Sequence, residues 1–368
     1  MNIPFLDLKW PHAQVEKSVK KRWNKILKNT AFVMGEDTKL FETNFAQYCQ
    51  TKYCISVSNG TSALSLAIRA LQLPAKSEII TLPTSFFASA SSIAHTGHIP
   101  VFAEVDLTTG NFNYNKLQQA VTKKTKAIMA VHLYGRMCDM DKIEKFAKKN
   151  NLFIIEDAAQ AHGATYKNKK AGSIGHVGCF SFYPGKNLGA YGDAGAVVTN
   201  SDEIALYIRK MREHGSIKKY EHELLGYNER MDNIQAPVLD EKLKHLDDWN
   251  SLRKKIATMY YKAFADMKDV SVISPDVEYG NSVYHLFPLR VKNRDEFMQK
   301  LKEKGVATSI HYPRALHMIP ALQQSGCKEG DFPVAEKIAR ETVSIPIFPG
   351  MTKEQVMYVI KSIQEICK

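Results

Sequence analysis

Short apolar runs alternate with helix-like stretches through the first two-thirds of the chain. "YCISV" (Tyr53–Val57) precedes "TSALSLAIRALQL", and "EIITL" (Glu78–Leu82) precedes "SFFASASSIAHTG". "PVFAEV" (Pro100–Val105), "AIMAVHL" (Ala127–Leu133) and "LFIIE" (Leu152–Glu156) continue the series. Two more runs, Cys179–Tyr183 and Ala196–Thr199, flank a loop rich in glycine. Strand-length runs spaced by helix-length segments predict crossover units and a mainly parallel sheet with helices on both faces. In such α/β sheets ligands gather beyond the carboxyl ends of the strands.

The rhythm changes near residue 245. "DEKLKHLDDWNSLRKKIATMYYKAF" has apolar residues every three or four positions and predicts one long charged helix. "YHLFPLRV" (Tyr284–Val291), "DEFMQKLKEKG", "VATSIHYP" and "TKEQVMYVIKSIQEIC" then predict strand, helix, strand and helix. That order suits a small α/β domain, so we divide the chain into a large domain, residues 1–245, and a small one, residues 246–368.

A chain of 368 residues is long enough for such a pair. No apolar run reaches bilayer-spanning length, and the opening "MNIPFLDLKW" has no basic segment followed by a long apolar one. The six cysteines form no C-x-x-C, which predicts reduced thiols in a cytoplasmic protein. The net charge of +12 raises the question of nucleic acid, but the lysines are scattered over many segments with no basic, aromatic-interleaved stripe. The useful remainder is a bias toward phosphorylated small molecules.

Three strand ends carry candidate chemistry. "SVSNGTSAL" sets Ser58-Asn59-Gly60-Thr61-Ser62 at a helix start, which is either an anion site of free amides or an ordinary cap. "LFIIEDAAQAHGATY" ends a strand in Glu156-Asp157, with Gln160 and His162 close behind. A carboxylate there can bind a metal, act as a base, pair with a cationic heterocycle, or merely cap a helix; the metal option lacks further ligands. "CFSFYPGKNLGAYGDAGAVVTN" delivers one lysine, Lys186, inside four glycines. Phe180 and Asn187 stand where a nucleotide-triphosphate loop needs glycine and a hydroxyl residue, so that reading fails. A Schiff-base lysine, an aspartate facing a pyridinium and a helix N-terminus on a phosphate together describe equipment for pyridoxal 5'-phosphate.

"SFYPGKNLGAYGDAGAVVTN", with "EDAAQAHGA" upstream, resembles the DegT/DnrJ/EryC1/StrS family of nucleotide-sugar aminotransferases. "IPFLDL", "SNGTSAL", "HLYGRMCDMD", "GYNERMDNIQA", "HYPRALH" and "FPVAEKIARETVSIPIFP" extend the resemblance over nearly the whole chain. It implies the aspartate aminotransferase fold (fold type I) and a homodimer with shared active sites.

Carried over by position, the resemblance makes Lys186 the catalytic lysine and proton shuttle, with Asp157 keeping the pyridine nitrogen protonated. Gln160 would lie near the ring oxygen, Gly60, Thr61 and Ser181 would bind the phosphate, and Phe86 would stack on the ring. Asn228 would reach the phosphate of the partner subunit. Tyr183, Tyr220, His311, Tyr312 and His317 are expected at the sugar pocket, and Arg230 is the candidate for the donor carboxylate, or else a surface arginine paired with Glu229 or Asp232. Siblings that remove a hydroxyl carry histidine in place of the lysine, so Lys186 favours transamination.

The implied reaction moves the amino group of L-glutamate, which leaves as 2-oxoglutarate, to C-3 of a dTDP-linked 3-keto-6-deoxyhexose for surface polysaccharide or glycoconjugate synthesis. A C-4 aminotransferase is the alternative; no metal, membrane or nucleic acid takes part. Ala194, Pro237 and Arg314 depart from the family pattern, the last near the expected substrate mouth.

Overall fold

The computed structural model describes residues 1–273 and 279–367. The first 52 residues, which carry no strand run, form two helices, α1 (Lys9–Asn29) and α2 (Glu36–Cys49). Val15, Val19 and Ile26 of α1 fall on one buried face, and the helix ends where Thr30 turns into the left-handed region, at φ 51°.

The apolar runs become β1 (Tyr53–Val57), β2 (Glu78–Thr81), β3 (Ile99–Phe102), β4 (Thr125–Val131) and β5 (Phe153–Asp157). A hairpin of β6 (Thr165–Tyr166) and β7 (Lys169–Lys170) precedes β8 (Val177–Ser181) and β9 (Gly195–Thr199). The seven-stranded sheet has the order β1-β9-β8-β5-β4-β2-β3. Pairs β2–β3, β2–β4, β4–β5 and β5–β8 are parallel, while β9 lies antiparallel to both β1 and β8. Four helices accompany this sheet: α3 (Gly60–Ala70), α4 (Ala88–His95), α5 (Met140–Asn150) and α6 (Asp202–Arg212). The mainly parallel α/β fold matches the expectation.

The long helix is interrupted. It forms α7 (Ala236–Leu243) and α8 (Leu246–Phe264), separated by a turn in which the His245 N–H bonds the Lys242 carbonyl at 3.0 Å. The turn lets α7 pack on α1 and α2 while α8 runs into the second core. Pro237 falls in the first turn of α7, where a missing N–H costs nothing.

The smaller sheet joins β10 (Ser271–Val272), β12 (Phe287–Arg290) and β13 (Thr342–Ile345), while β11 (Gly280–Asn281) pairs instead with β6. Around it stand α9 (Arg294–Glu303), α10 (Pro333–Glu341) and α11 (Lys353–Ile366). "VATSIHYP" makes only bridges, Val306 to Ile3 and Ser309 to Ser344, and the paired strand is "TVSI". The two cores interpenetrate in sequence: Ile3 packs in the smaller one, whereas Ala315, Ala335 and Ile338 pack in the larger. All six cysteines are free thiols.

Candidate active site

Strand register brings the chemistry together. Val57 and Ser181 both face Gly195 across the sheet, Asp157 faces Cys179, and Val131 faces Asp157. The carboxyl ends of β1, β4, β5 and β8 therefore share one edge, and a cavity of about 860 Å³ opens there. That volume suits a cofactor with a small substrate.

Successive strand residues point to opposite faces, and this separates the two carboxylates. Glu156 is wholly buried on the far side. It accepts from the amides of Gly172, Ile174 and Gly175 and pairs with His132 Nε2 at 2.8 Å. Burial disfavours its charge, but His132 and those amides hold its pKa below the ordinary value. Glu156 thus pins the loop before β8, and only Asp157 lines the cavity.

Asp157 accepts from Ser89 Oγ at 2.7 Å and from the Ala159 amide at 3.2 Å. Burial pushes its carboxyl above the ordinary value, with those two bonds opposing. A protonated ring nitrogen would supply the missing counter-charge. Lys186 lies beyond the end of β8, in a turn closed by its own amide on the Tyr183 carbonyl at 2.8 Å. Gly189 is required in that turn, since a Cβ would meet the Pro184 carbonyl oxygen at 2.3 Å. Burial lowers the Lys186 pKa to about 8, with Asp157 opposing the shift.

At the start of α3 the Asn59 side chain accepts from the Ser62 amide, while the Gly60 and Thr61 amides bond no described residue. Both amides border the cavity beside Ser181. A Cβ on Gly60 would meet Ser181 Cβ at 2.6 Å, so only glycine lets helix and strand end close on an anion. Phe86, 53% exposed, offers a bare aromatic face to the cavity, with Tyr312 at a centroid distance of 5.7 Å. Gln160 is oriented by the Tyr134 amide (2.7 Å) and by the Tyr312 hydroxyl (2.9 Å).

These groups fit pyridoxal phosphate. Lys186 can hold its aldehyde carbon, Asp157 its ring nitrogen, Phe86 its ring face, and Gly60, Thr61 and Ser181 its phosphate. Among the described residues no cluster of His, Cys, Asp or Glu is placed to hold a metal.

Of the expected sugar-pocket residues, Tyr183, His311 and Tyr312 line the cavity. His311 stacks on Phe5 at 5.7 Å and bonds Ser344 Oγ through Nδ1 at 2.9 Å; burial, with Lys186 nearby, lowers its pKa to about 4. The structure corrects the placement of His317. It is fully buried away from the cavity, bonded to Glu336 at 3.1 Å and packed on Phe332, because after "HYP" the chain turns against the main sheet, the Leu316 N–H bonding the Pro83 carbonyl at 2.8 Å and His317 meeting Phe102.

Tyr220, Arg230 and Asn228 also lie outside the cavity of this chain. Tyr220 is 81% exposed, Asn228 is exposed beside Glu213, and Arg230 pairs with Glu213 at 2.8 Å. Glu229 instead accepts from Ser58 and Ser62 at the start of α3. Arg314 is exposed and does not border the cavity.

Sequence reading missed several cavity residues: Phe5, Ser89, Asp193 and His285. His285 sits inside the run "YHLFPLRV", where it is indistinguishable from an ordinary strand residue. No described helix is long and apolar enough to cross a membrane.

Residues 13–364 match the DegT/DnrJ/EryC1/StrS aminotransferase family. The chain is 42% identical over 362 residues to the dTDP-3-amino-3,6-dideoxy-alpha-D-galactopyranose transaminase of Aneurinibacillus thermoaerophilus, covering 98% of each. It is 36% identical over 358 residues to the UDP-2-acetamido-2-deoxy-3-oxo-D-glucuronate aminotransferase of Pseudomonas aeruginosa, covering 97% of this chain and 98% of the other. The X-ray structure of S. venezuelae DesV superposes with a TM-score of 0.97 at 37% identity, covering 100% of this chain and 99% of that one. This chain therefore belongs to the DegT/DnrJ/EryC1/StrS aminotransferase family, as a sugar aminotransferase that depends on pyridoxal 5'-phosphate.

Proposed function

We propose that the enzyme transfers the amino group of L-glutamate to C-3 of a dTDP-3-keto-6-deoxyhexose, giving a dTDP-3-amino-3,6-dideoxyhexose for surface glycan synthesis. The observation that carries the substrate assignment is the 42% identity, over 98% of the chain, to a dTDP-3-amino-3,6-dideoxyhexose transaminase. The cavity supports it. Phe5, Phe86, Tyr183 and Leu286 give the wall apolar surface that suits a 6-deoxy sugar with its methyl group.

When bound, pyridoxal phosphate supplies an aldehyde that takes up the amine and a ring that accepts electrons from the reacting carbon. The chain's own residues do the rest. Lys186 Nζ would accept the proton released from the substrate carbon, and its lowered pKa makes the neutral, proton-accepting amine accessible near neutral pH. Asp157 keeps the ring nitrogen protonated from a carboxylate that Ser89 holds in place. The amides of Gly60 and Thr61 and the Ser181 hydroxyl fix the phosphate. Phe86 would cover the ring and shield it from water.

The working unit in this reading is a homodimer. Asn228 and Tyr220 are exposed in one chain, free to complete the partner's site in the proposed dimer.

The relative acting on a UDP-linked 3-oxo sugar favours a second reading with UDP in place of dTDP. One experiment separates these possibilities. Purified enzyme is given glutamate with dTDP- and UDP-linked 3-keto and 4-keto sugars, and the amino sugars formed are identified. A product aminated at C-4, or one carried only on UDP, overturns the proposed substrate.

A further inference from the structure

Asn187 follows Lys186 in the catalytic loop and is buried. Its Nδ2 donates to the Val283 carbonyl at 2.9 Å and to Asn250 Oδ1 at 2.8 Å. A backbone carbonyl has no proton to give, so the atom facing Val283 is the amide nitrogen, and the orientation of Asn187 is fixed. Its oxygen then faces His285 Nδ1, at 3.2 Å. An amide oxygen only accepts, and Nδ1 of His285 must carry the hydrogen. In a neutral imidazole that leaves Nε2 as a bare lone pair.

His285 is neutral because burial pushes its pKa well below the ordinary value and Lys186 adds to the shift. The ring lines the cavity, and its Nε2 takes no hydrogen bond from any described residue. The backbone is held as firmly as the ring. The Val283 amide bonds the Gly135 carbonyl at 2.9 Å, and a Cβ on Gly135 would meet the backbone nitrogen of His285 at 2.8 Å. Asn250 is anchored in turn, its Nδ2 donating to the His162 carbonyl at 2.9 Å.

We propose that His285 is a specificity-determining residue of the sugar half-reaction, its Nε2 accepting a hydrogen bond from a hydroxyl of the bound keto sugar. A lone pair discriminates between the two substrates of a sugar aminotransferase. The carboxylates of an amino-acid donor are themselves acceptors and gain nothing from it, and its amino group is the reacting atom, bound for the cofactor's aldehyde carbon, whereas a sugar hydroxyl gains a fixed partner. This inference rests on the sugar-aminotransferase assignment and not on the nucleotide or on the carbon aminated.

The test has two arms. In holoenzyme labelled with ¹⁵N-histidine at pH 7.5, with His285→Asn used for assignment, Nδ1 is expected to give the signal of a protonated nitrogen and Nε2 that of an unprotonated one. A proton on Nε2, alone or together with Nδ1, overturns the proposal whatever the substrate.

The second arm is kinetic and uses whichever keto sugar the wild-type enzyme accepts, dTDP- or UDP-linked. His285→Asn keeps a donor toward Asn187 but removes the cavity acceptor, whereas His285→Gln reaches further and restores an acceptor. His285→Asn should lose about tenfold or more in kcat/KM for the keto sugar, and His285→Gln should recover much of that loss. The glutamate half-reaction, followed by the cofactor's visible absorbance, should stay within about twofold in both. Equal loss in both half-reactions, or unchanged sugar kinetics in His285→Asn, overturns it.

Discussion

Lys186 has no carboxylate within ion-pair distance among the described residues, and burial brings its pKa from 10.5 down to about 8. Burial disfavours the ammonium, so the neutral nucleophilic amine appears at lower pH than on a free lysine. The rate at which cofactor-free enzyme takes up pyridoxal phosphate should therefore rise with pH and level off above about 8; a rise continuing to pH 10 would show an ordinary lysine. Asp157 has the opposite problem, a buried carboxylate whose charge needs a partner. Asp157→Ala should lower turnover by more than about a hundredfold, as loss of an aimed electrostatic group does. Its stability cost, from losing the Ser89 bond while Ser85 Oγ at 2.7 Å remains as an alternative partner, should stay within about 1–3 kcal/mol. Near-normal turnover in that variant would leave Asp157 a structural residue. Lys186 drew attention in sequence because one lysine stands inside four glycines after an apolar run, whereas Asp157 was told from its neighbour Glu156 only through the family resemblance. His317 was expected at the sugar pocket from its place shortly after "HYP", yet it is a core histidine paired with Glu336. What separates the two cases is the path of the backbone after the motif, which residue type does not encode.

The catalytic loop is held at element scale by α7. Lys242 is 5% exposed, donates to the Gly189 carbonyl at 2.6 Å and lies over the Tyr191 ring at 4.6 Å. Lys242→Met keeps much of the apolar stem but strands that carbonyl, which costs about 1–3 kcal/mol where it is buried. The melting temperature should fall, and cofactor should dissociate faster on dialysis; unchanged retention would show that the loop holds its shape without α7. Gly60→Ala tests the other wall. Its Cβ would collide with Ser181 at 2.6 Å, so α3 and β8 must separate and the amide cradle widen. Overpacking of this kind costs about 1–3 kcal/mol, and weaker cofactor binding, measured by titration, should accompany it. The strands of the main sheet were readable because each is a short apolar run bounded by turn residues. The break between α7 and α8 was not, since the apolar spacing continues through residues 244–245. The turn is imposed by the divergent directions of the two surfaces on which the halves pack.

Across the whole molecule, one segment stands apart. Ile217, Tyr220 and Leu225 are 59%, 81% and 97% exposed in the loop that precedes Asn228. Three exposed apolar side chains within one loop suit the proposed dimer interface. An Asn228 variant and a Lys186 variant, each inactive alone, should regain activity when mixed and allowed to exchange subunits. Each hybrid dimer would then hold one site with both lesions and one with neither, and failure of rescue despite exchange would keep Asn228 in its own subunit's site. The sequence by itself determined the alternation that builds a mainly parallel sheet, the lysine and aspartate at its strand ends, and, through motifs spread along the chain, the family. Those features are local: periodicity, turn chemistry and residue type act within a few positions. Residue pattern left open which of two adjacent carboxylates faces the cavity; the resemblance named Asp157, and strand register supplies the physical reason, just as tertiary pairing alone made "TVSI" a strand of the smaller sheet. Tertiary structure also brought His285 from the far end of the chain to the loop of Lys186 and fixed its proton through Asn187. These outcomes depend on sheet register and on hydrogen bonds between residues nearly a hundred positions apart, and no local pattern carries that information.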